Sequence, residues 1–542
     1  MIFASPLTWI ILLPVIGALV VMVTPNTIAR WLALAFTAAT FVLSLVIFFN
    51  IAAAGNFTFS NFGSLSALQQ CKVQVLANNC IDLPWISFKA GTIQFNIDYF
   101  LGIDGLSLPL VMLNALMTML AVIGGWEKPR VKEYMALMMI LEAGVMGVFL
   151  ALDLLLFFLF WEVELAPMFL LIGIWGYDTP KHGMPGRIYS AWKFLLYTFF
   201  GSASMLVGIL LVYFNFPSTH PAPGMAYTAS MIYFSMPAHL LSEGLQVAAF
   251  LLIFLAFAIK IPMFPFHTWL PDAHTDAPTE VSVILAGILL KMGAYGLIRV
   301  CFTLFPMGMH DFAPWLAGFA VINIIYGAGI CLVQTDMKRL IAYSSVSHMG
   351  IILLGVAAAA GSGDVAFRMA ALTGATVQMI SHGLITGMLF FCVGVISDHA
   401  HTREIAVFGG VAKKMPVLAT LFTFAGLASL GLPGLAGFVA EYMTFTGSYR
   451  SWTVATTISV FTMILTAAYL LWMLKRVFYG PFNLKWNWLP DATLRESIPL
   501  YVLAAFIVLV GIYPTFLVGV ISPSLTQSLS QLVHAVGMAL HP

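Results

Sequence analysis

Apolar runs of about 20 residues, each long enough to cross a hydrocarbon layer of about 30 Å as a helix, begin near residues 7, 30, 104, 133, 153, 189, 246, 277, 313, 339, 365, 415, 455 and 498. The pattern predicts an all-α polytopic membrane protein with about fourteen transmembrane helices. Polar interruptions are short, with two exceptions. A stretch at about residues 51–98 mixes polar and β-branched residues, and a second, 217–242, separates spans six and seven. Neither is long enough for a soluble catalytic domain.

The pattern is broken most sharply in span seven. Lys260 lies near the middle of the apolar run 247–270, and Pro262 and Pro265 follow it at once. A lysine at that depth costs a few kcal/mol, so it should face the protein interior and keep a partner. Prolines free backbone carbonyls, which are tolerable there only where they line a polar cavity. Span twelve repeats the design, since Gly431-Leu432-Pro433-Gly434 interrupts an apolar run that ends in Glu441. Interrupted segments in corresponding positions point to a transport pathway. The two breaks are five spans apart, and an odd offset reverses helix direction. This predicts two inverted five-helix repeats, spans four to eight and nine to thirteen. The chain then divides into 1–98 (two spans and a long outward loop), 99–303 (span three and the first repeat), 304–480 (the second repeat) and 481–542 (the last span and tail).

Other titratable groups fall inside spans: Glu162 in span five, Lys291 in eight, His348 in ten and His382 in eleven, with Glu142 in four as a further candidate. Glu162 and Glu164 are two positions apart, nearly opposite on a helix, so one of them can face a given partner.

Composition agrees with the pattern. The 542 residues are 61% hydrophobic and 8% charged, with mean hydropathy +0.98, more apolar surface than a soluble core can hide. That excludes soluble enzymes and nucleic-acid binders. The run 7–23 has no basic leader or small-residue cleavage site and is expected to be a retained first helix. With the amino terminus outside, 16 of the 23 lysines and arginines fall on inward connections and 5 on outward ones, leaving Lys260 and Lys291 within the membrane. Both termini are therefore expected outside. Cys301, Cys331 and Cys392 lie in or beside apolar runs and are expected to be packing residues, with no metal or haem spacing. Cys71 and Cys80 lie in the outward loop, where an oxidising compartment favours a disulfide worth roughly 2–3 kcal/mol. No glycine-rich phosphate loop, iron–sulfur cysteine cluster or paired-histidine haem pattern occurs, which assigns redox chemistry and nucleotide hydrolysis to other chains.

Phe160-Trp161-Glu162 with Pro167, Lys260-Ile261-Pro262 through His267-Thr268-Trp269-Leu270-Pro271-Asp272-Ala273-His274, Leu285 through Gly296 around Lys291, Ala342 through Gly350, Ser381-His382-Gly383 and Gly431 through Glu441 together resemble the antiporter-like subunits of respiratory complex I. The resemblance covers roughly residues 100–480. Among those subunits the chain resembles the branch with glutamate, and not lysine, at the end of the second broken helix, here Glu441. It implies fourteen helices, and a chain that ends soon after the last without a long lateral helix. It also implies that Glu162 pairs with Lys260, that Lys291 is the central connecting lysine, that His348 and His382 bridge, and that Glu441 ends the relay, with Trp269 and His267 in support. Function would be proton translocation as a non-redox subunit of NADH:quinone oxidoreductase. No cofactor or metal is implied in this chain; NADH, FMN, iron–sulfur clusters and quinone belong to partner subunits. Expected partners are the other complex I membrane subunits, especially the sister antiporter-like ones, and the lipid bilayer, with no nucleic acid; the expected location is a bacterial inner membrane. A cation/proton antiporter subunit of an Mrp-type complex, a proton-pumping subunit of a membrane-bound hydrogenase and a purely structural scaffold are the competing readings.

Overall fold

A computed structural model describes residues 3, 5–55, 57–58, 80–90, 93–215, 229–231 and 241–540. Among these, fourteen helices are long and apolar enough to cross a membrane. The chain opens with α1 (Pro6–Val23) and α2 (Asn26–Ala54), then a hairpin of β1 (Cys80–Ala90) and β2 (Ile93–Gly102). The strands pair antiparallel, Cys80 opposite Gly102 and Leu83 opposite Tyr99. The sequence pattern had suggested a loop here. Cys80 is buried and disulfide-bonded, whereas Cys71 lies outside the described residues. Cys301, Cys331 and Cys392 are free and buried, as packing residues should be.

Next come α3 (Ser107–Gly124), α4 (Val131–Leu150), α5 (Leu154–Val163), α6 (Leu165–Trp175) and α7 (Gly186–Asn215). The expected span five is the pair α5 and α6, interrupted at Glu164. Pro167 explains the interruption, because its ring clashes with the carbonyl four residues back, that of Val163. Span seven is α8 (Glu243–Lys260) followed by a non-helical turn and α9 (Trp269–Asp276). Then follow α10 (Thr279–Leu304), α11 (Pro306–Cys331), α12 (Met337–Ala360) and α13 (Val365–Ala400). Span twelve is again broken, into α14 (Pro416–Ser429) and α15 (Ala436–Ser448), and α16 (Thr453–Tyr479) and α17 (Leu494–Ile512) complete the expected set.

One helix was not expected. Past α17 the chain continues as α18 (Pro514–Leu540). It packs on the ends of other helices beside the hairpin: Ser524 Oγ donates to Phe57 O and accepts from Gly105 N, and Thr526 reaches Met369 at the start of α13. It therefore caps the hairpin face, where the sequence predicted little beyond the last span.

Helices differ in how much lipid they could meet. The apolar windows of α10 and α13 are 100% buried and that of α12 94%, against 33% for α2, α16 and α17. The core of the molecule is thus α10, α12 and α13, and their polar residues have no lipid-facing side to escape to. Lys291, His348 and His382 each fall at the midpoint of one of these three helices. Three basic residues assigned to the surface, Arg299, Lys338 and Arg368, are also interior. Arg299 is buried in an ion pair with Asp104 (2.5 Å), and buried Lys338 donates to Ala277 O. None of the three removes the excess of positive charge on the face opposite the hairpin.

Candidate functional site

The break after α8 leaves polar backbone in the middle of the bundle, and one side chain satisfies much of it. Asn323, buried in α11, accepts from Phe264 N (2.7 Å) and donates to Pro262 O (3.3 Å). Trp269 Nε1 donates to Ile259 O (2.9 Å), tying the start of α9 to the end of α8. Nothing in the local sequence marks Asn323, since its partner is backbone some sixty residues away.

At the end of α8, Lys260 is 1% exposed, and its ammonium pairs with Glu164, which is fully buried. Trp161 and Phe194 offer ring faces to the same ammonium at 5.4 and 5.5 Å, a further counterweight to desolvation. The carboxylate expected here was Glu162. Glu162 stands two residues earlier, is half-buried with one carboxylate oxygen enclosed, and lies within electrostatic reach of Lys260 without touching it. The interruption at residue 164 turns Glu164 inward in its place. Pro167 was the sequence signal that could have identified it.

In α10, Lys291 lies between two π-helical turns, Leu285–Leu289 and Leu297–Cys301. Such turns shift backbone bonding by one residue and recur at functional sites. The Lys291 ammonium donates to the carbonyl of Ala286 in the first turn. It also meets His382 Nδ1 of α13 at 2.7 Å. The His382 and His348 rings stand 5.7 Å apart. His348 Nδ1 lies 3.4 Å from Glu441 Oε1, with Gln378 Nε2 at the same distance, and its Nε2 is 3.3 Å from Ser429 Oγ. Glu441, 4% exposed, borders a small cavity with Ser347, Ser459, Thr462 and Thr466. The turn before α15 holds it close, since a Cβ on Gly431 would come within 2.7 Å of its Oε2.

Four of the expected residues thus form one run of contacts, Lys291 to His382 to His348 to Glu441, reaching from the most enclosed helix to the second helix break. Lys260 sits apart, with Glu164 at the first break. Gly293 packs on Phe257 and Ile261, so α10 touches the end of α8 one turn from Lys291. His267 meets Tyr326 Oη at 3.1 Å and Trp269 binds backbone; both shape the break and neither joins the run. Two buried titratable groups accompany it. His274 stacks on Phe390 (4.7 Å) with neither ring nitrogen hydrogen-bonded among the described residues, and Lys291 and Lys338 both act on it electrostatically. Glu142, in α4, likewise has neither carboxylate oxygen hydrogen-bonded among the described residues. Buried polar groups without partners are rare and expensive, which fits a lining that exchanges protons or water.

Residues 151–466 match the family model described as NADH:quinone oxidoreductase/Mrp antiporter, TM. Over 514 residues, the chain is 40% identical to NADH-quinone oxidoreductase subunit M of Rhodobacter capsulatus, covering 94% of this chain and 91% of that one. It is 38% identical over 534 residues to NAD(P)H-quinone oxidoreductase chain 4 of Gloeobacter violaceus, covering 96% and 92%. Its structure is similar to a chain of respiratory complex I from Thermus thermophilus with bound NADH (TM-score 0.81, 26% identity, 97% and 99% covered). The fold alone is also shared with the archaeal membrane-bound sulfane sulfur reductase (TM-score 0.77, 20% identity, 97% and 99% covered).

Proposed function

We propose a proton path for a chain that belongs to the NADH:quinone oxidoreductase/Mrp antiporter membrane family and is a proton-translocating, integral membrane subunit of complex I, whose cofactors sit in other subunits. In this reading Lys291, His382, His348 and Glu441 pass a proton along the middle of the bundle, and Glu164 with Lys260 controls when it moves. The observation that carries it is the row of neighbours between Lys291 and Glu441: Lys291 to His382 at 2.7 Å, His382 and His348 with ring centroids 5.7 Å apart, and His348 to Glu441 at 3.4 Å. Imidazole suits the two central places, because either nitrogen can take or give a proton and its unperturbed pKa is near 6.5. At the first break, the separation of the Glu164 carboxylate from Lys260 sets how tightly the lysine holds its proton. One pKa unit corresponds to about 1.4 kcal/mol, so small displacements suffice. The two helix breaks are counterparts in inverted repeats, each placing a charge where the backbone is open.

This chain would perform no redox step. NADH, FMN, iron–sulfur clusters and quinone would lie in partner subunits, and sister antiporter-like subunits would flank it in a bacterial inner membrane, with the hairpin face and both termini outside. Glu441 would then release protons outward. Replacing Lys291 with Ala in the assembled complex, reconstituted in vesicles, tests the relay. Partner binding should persist while proton pumping per electron is lost. Pumping at the native ratio would refute the relay, and loss of assembly without prior loss of pumping in milder variants would favour a scaffold.

A further inference from the structure

The face opposite the hairpin carries a second constellation that the relay leaves unused. Where the ends of α3, α10, α13 and α17 meet, a cavity of about 450 Å³ is lined by Glu127, Lys128, Glu280, Asp398, His399 and Glu496, with Arg495 at its edge. It is roomy enough for many waters and polar enough to hold them. Arg495 takes Glu127 (2.7 Å), Lys128 takes Glu280 (3.2 Å), and His399 takes Glu496 (3.1 Å). Lys338 lies over the Tyr177 ring and acts on both Glu280 and Asp398, and Asp398 accepts from the hydroxyl of Tyr177 at 3.3 Å. Asp398 and Tyr177 also line a neighbouring cavity of about 730 Å³. A lock between helix ends would not need the open volume.

Glu280 is the most buried acid of the lining, 3% exposed, and the Tyr134 hydroxyl donates to it at 3.0 Å. It stands in the first turn of α10, the helix of Lys291, about 16 Å before it along the axis at 1.5 Å per residue. His274 has both nitrogens free of partners among the described residues, its carbonyl accepts from Ser282 Oγ in the first turn of α10, and it lies within electrostatic reach of Lys291.

We propose that this cavity is where the chain takes up protons and that Glu280 is the residue that collects them for Lys291. The proposal rests on the reading of Lys291 as a relay residue given above. An O–H bond of a hydronium ion entering the cavity breaks, leaving water, as an O–H bond forms on Glu280 and its contact with Lys128 loosens. That bond breaks as an N–H bond forms on His274 through intervening water, and the carboxylate closes again on Lys128. Once the Lys291 ammonium has passed a proton to His382, the His274 imidazolium yields its own to the amine left behind, so one proton moves on and no electron does.

The test uses the whole complex in proteoliposomes, with proton uptake measured per NADH oxidised across a range of pH on the cavity side. Glu280→Gln should lower coupled uptake about tenfold, and Glu280→Asp should restore most of it. Glu280→Gln also leaves Lys128 without its carboxylate, so the double variant Glu280→Gln with Lys128→Met is measured beside it. Uptake lost in both supports collection by Glu280. Uptake recovered in the double variant means that the acid only neutralises Lys128, and overturns the proposal. Native uptake in Glu280→Gln with none in Lys291→Ala overturns it too but leaves the relay standing; native uptake in both variants removes the relay and this proposal with it.

Discussion

A buried ion pair contributes little net stability against an apolar pair of the same shape, yet losing one partner costs about 3–5 kcal/mol because a charge is stranded. Glu164 and Lys260 are such a pair, at 0% and 1% side-chain exposure. Glu164→Gln is therefore expected to abolish coupled pumping, whereas Glu162→Gln, at a residue that makes no direct contact with Lys260, should retain most of it; proton pumping per electron in vesicles distinguishes them. Equal damage from both would place Glu162 back in the path. At the other end of the run, Glu441→Asp should pump better than Glu441→Gln. A titratable group is what release requires, and the adjoining cavity lets water bridge a shorter arm. Loss of the same size in both would mark Glu441 as a packing or hydrogen-bonding residue. At this scale the sequence was largely legible. Lys260, Lys291, His348, His382 and Glu441 stand out because charge inside an apolar run needs a reason. The choice between Glu162 and Glu164 was not legible from spacing alone, since a single interruption of the helix decides which of two neighbours turns inward.

Helix positions were readable because a membrane admits few alternatives to a continuous apolar helix, and the breaks were readable because proline and glycine cause them. What spans the breaks was not. Asn323 and the two π-turns around Lys291 depend on partners distant in sequence, and the β hairpin formed from a stretch with no clear alternation. Glycine shows the same limit more sharply. Gly431 and Gly434 both have left-handed backbone, φ +75° and +90°, but a Cβ on Gly434 meets nothing within 4 Å while one on Gly431 meets Glu441 Oε2 at 2.7 Å. Alanine at either position should cost about 1–2 kcal/mol from backbone conformation, read as a lower Tm of the purified complex. Pumping should fall in Gly431→Ala alone, because there the added methyl displaces the carboxylate. If both variants pump alike, the turn does not position Glu441.

For the whole molecule, charge distribution predicts which side each face meets. A cysteine placed at Ser451, between α15 and α16, should react with a membrane-impermeant thiol reagent from outside intact cells, and one at Thr402, beyond α13, only after permeabilisation. The reverse pattern would invert the orientation. Lys338 and Arg299 show why such counts remain approximate: both were assigned to a surface and both lie inside. Helix α18 escaped prediction for a related reason, because its mean hydropathy of 1.2 is the lowest of the fourteen helices long and apolar enough to cross a membrane. The placement of Lys291, His348 and His382 at the midpoints of their helices has an electrical meaning. Moving one charge through the full membrane potential requires about 2.3 kcal/mol per 100 mV, but a hop at constant depth crosses almost none of that field. Passage from Lys291 to Glu441 should be nearly insensitive to voltage, and the work of pumping against a charged membrane falls on the two vertical legs, uptake and release, whose rates alone should slow as the potential rises.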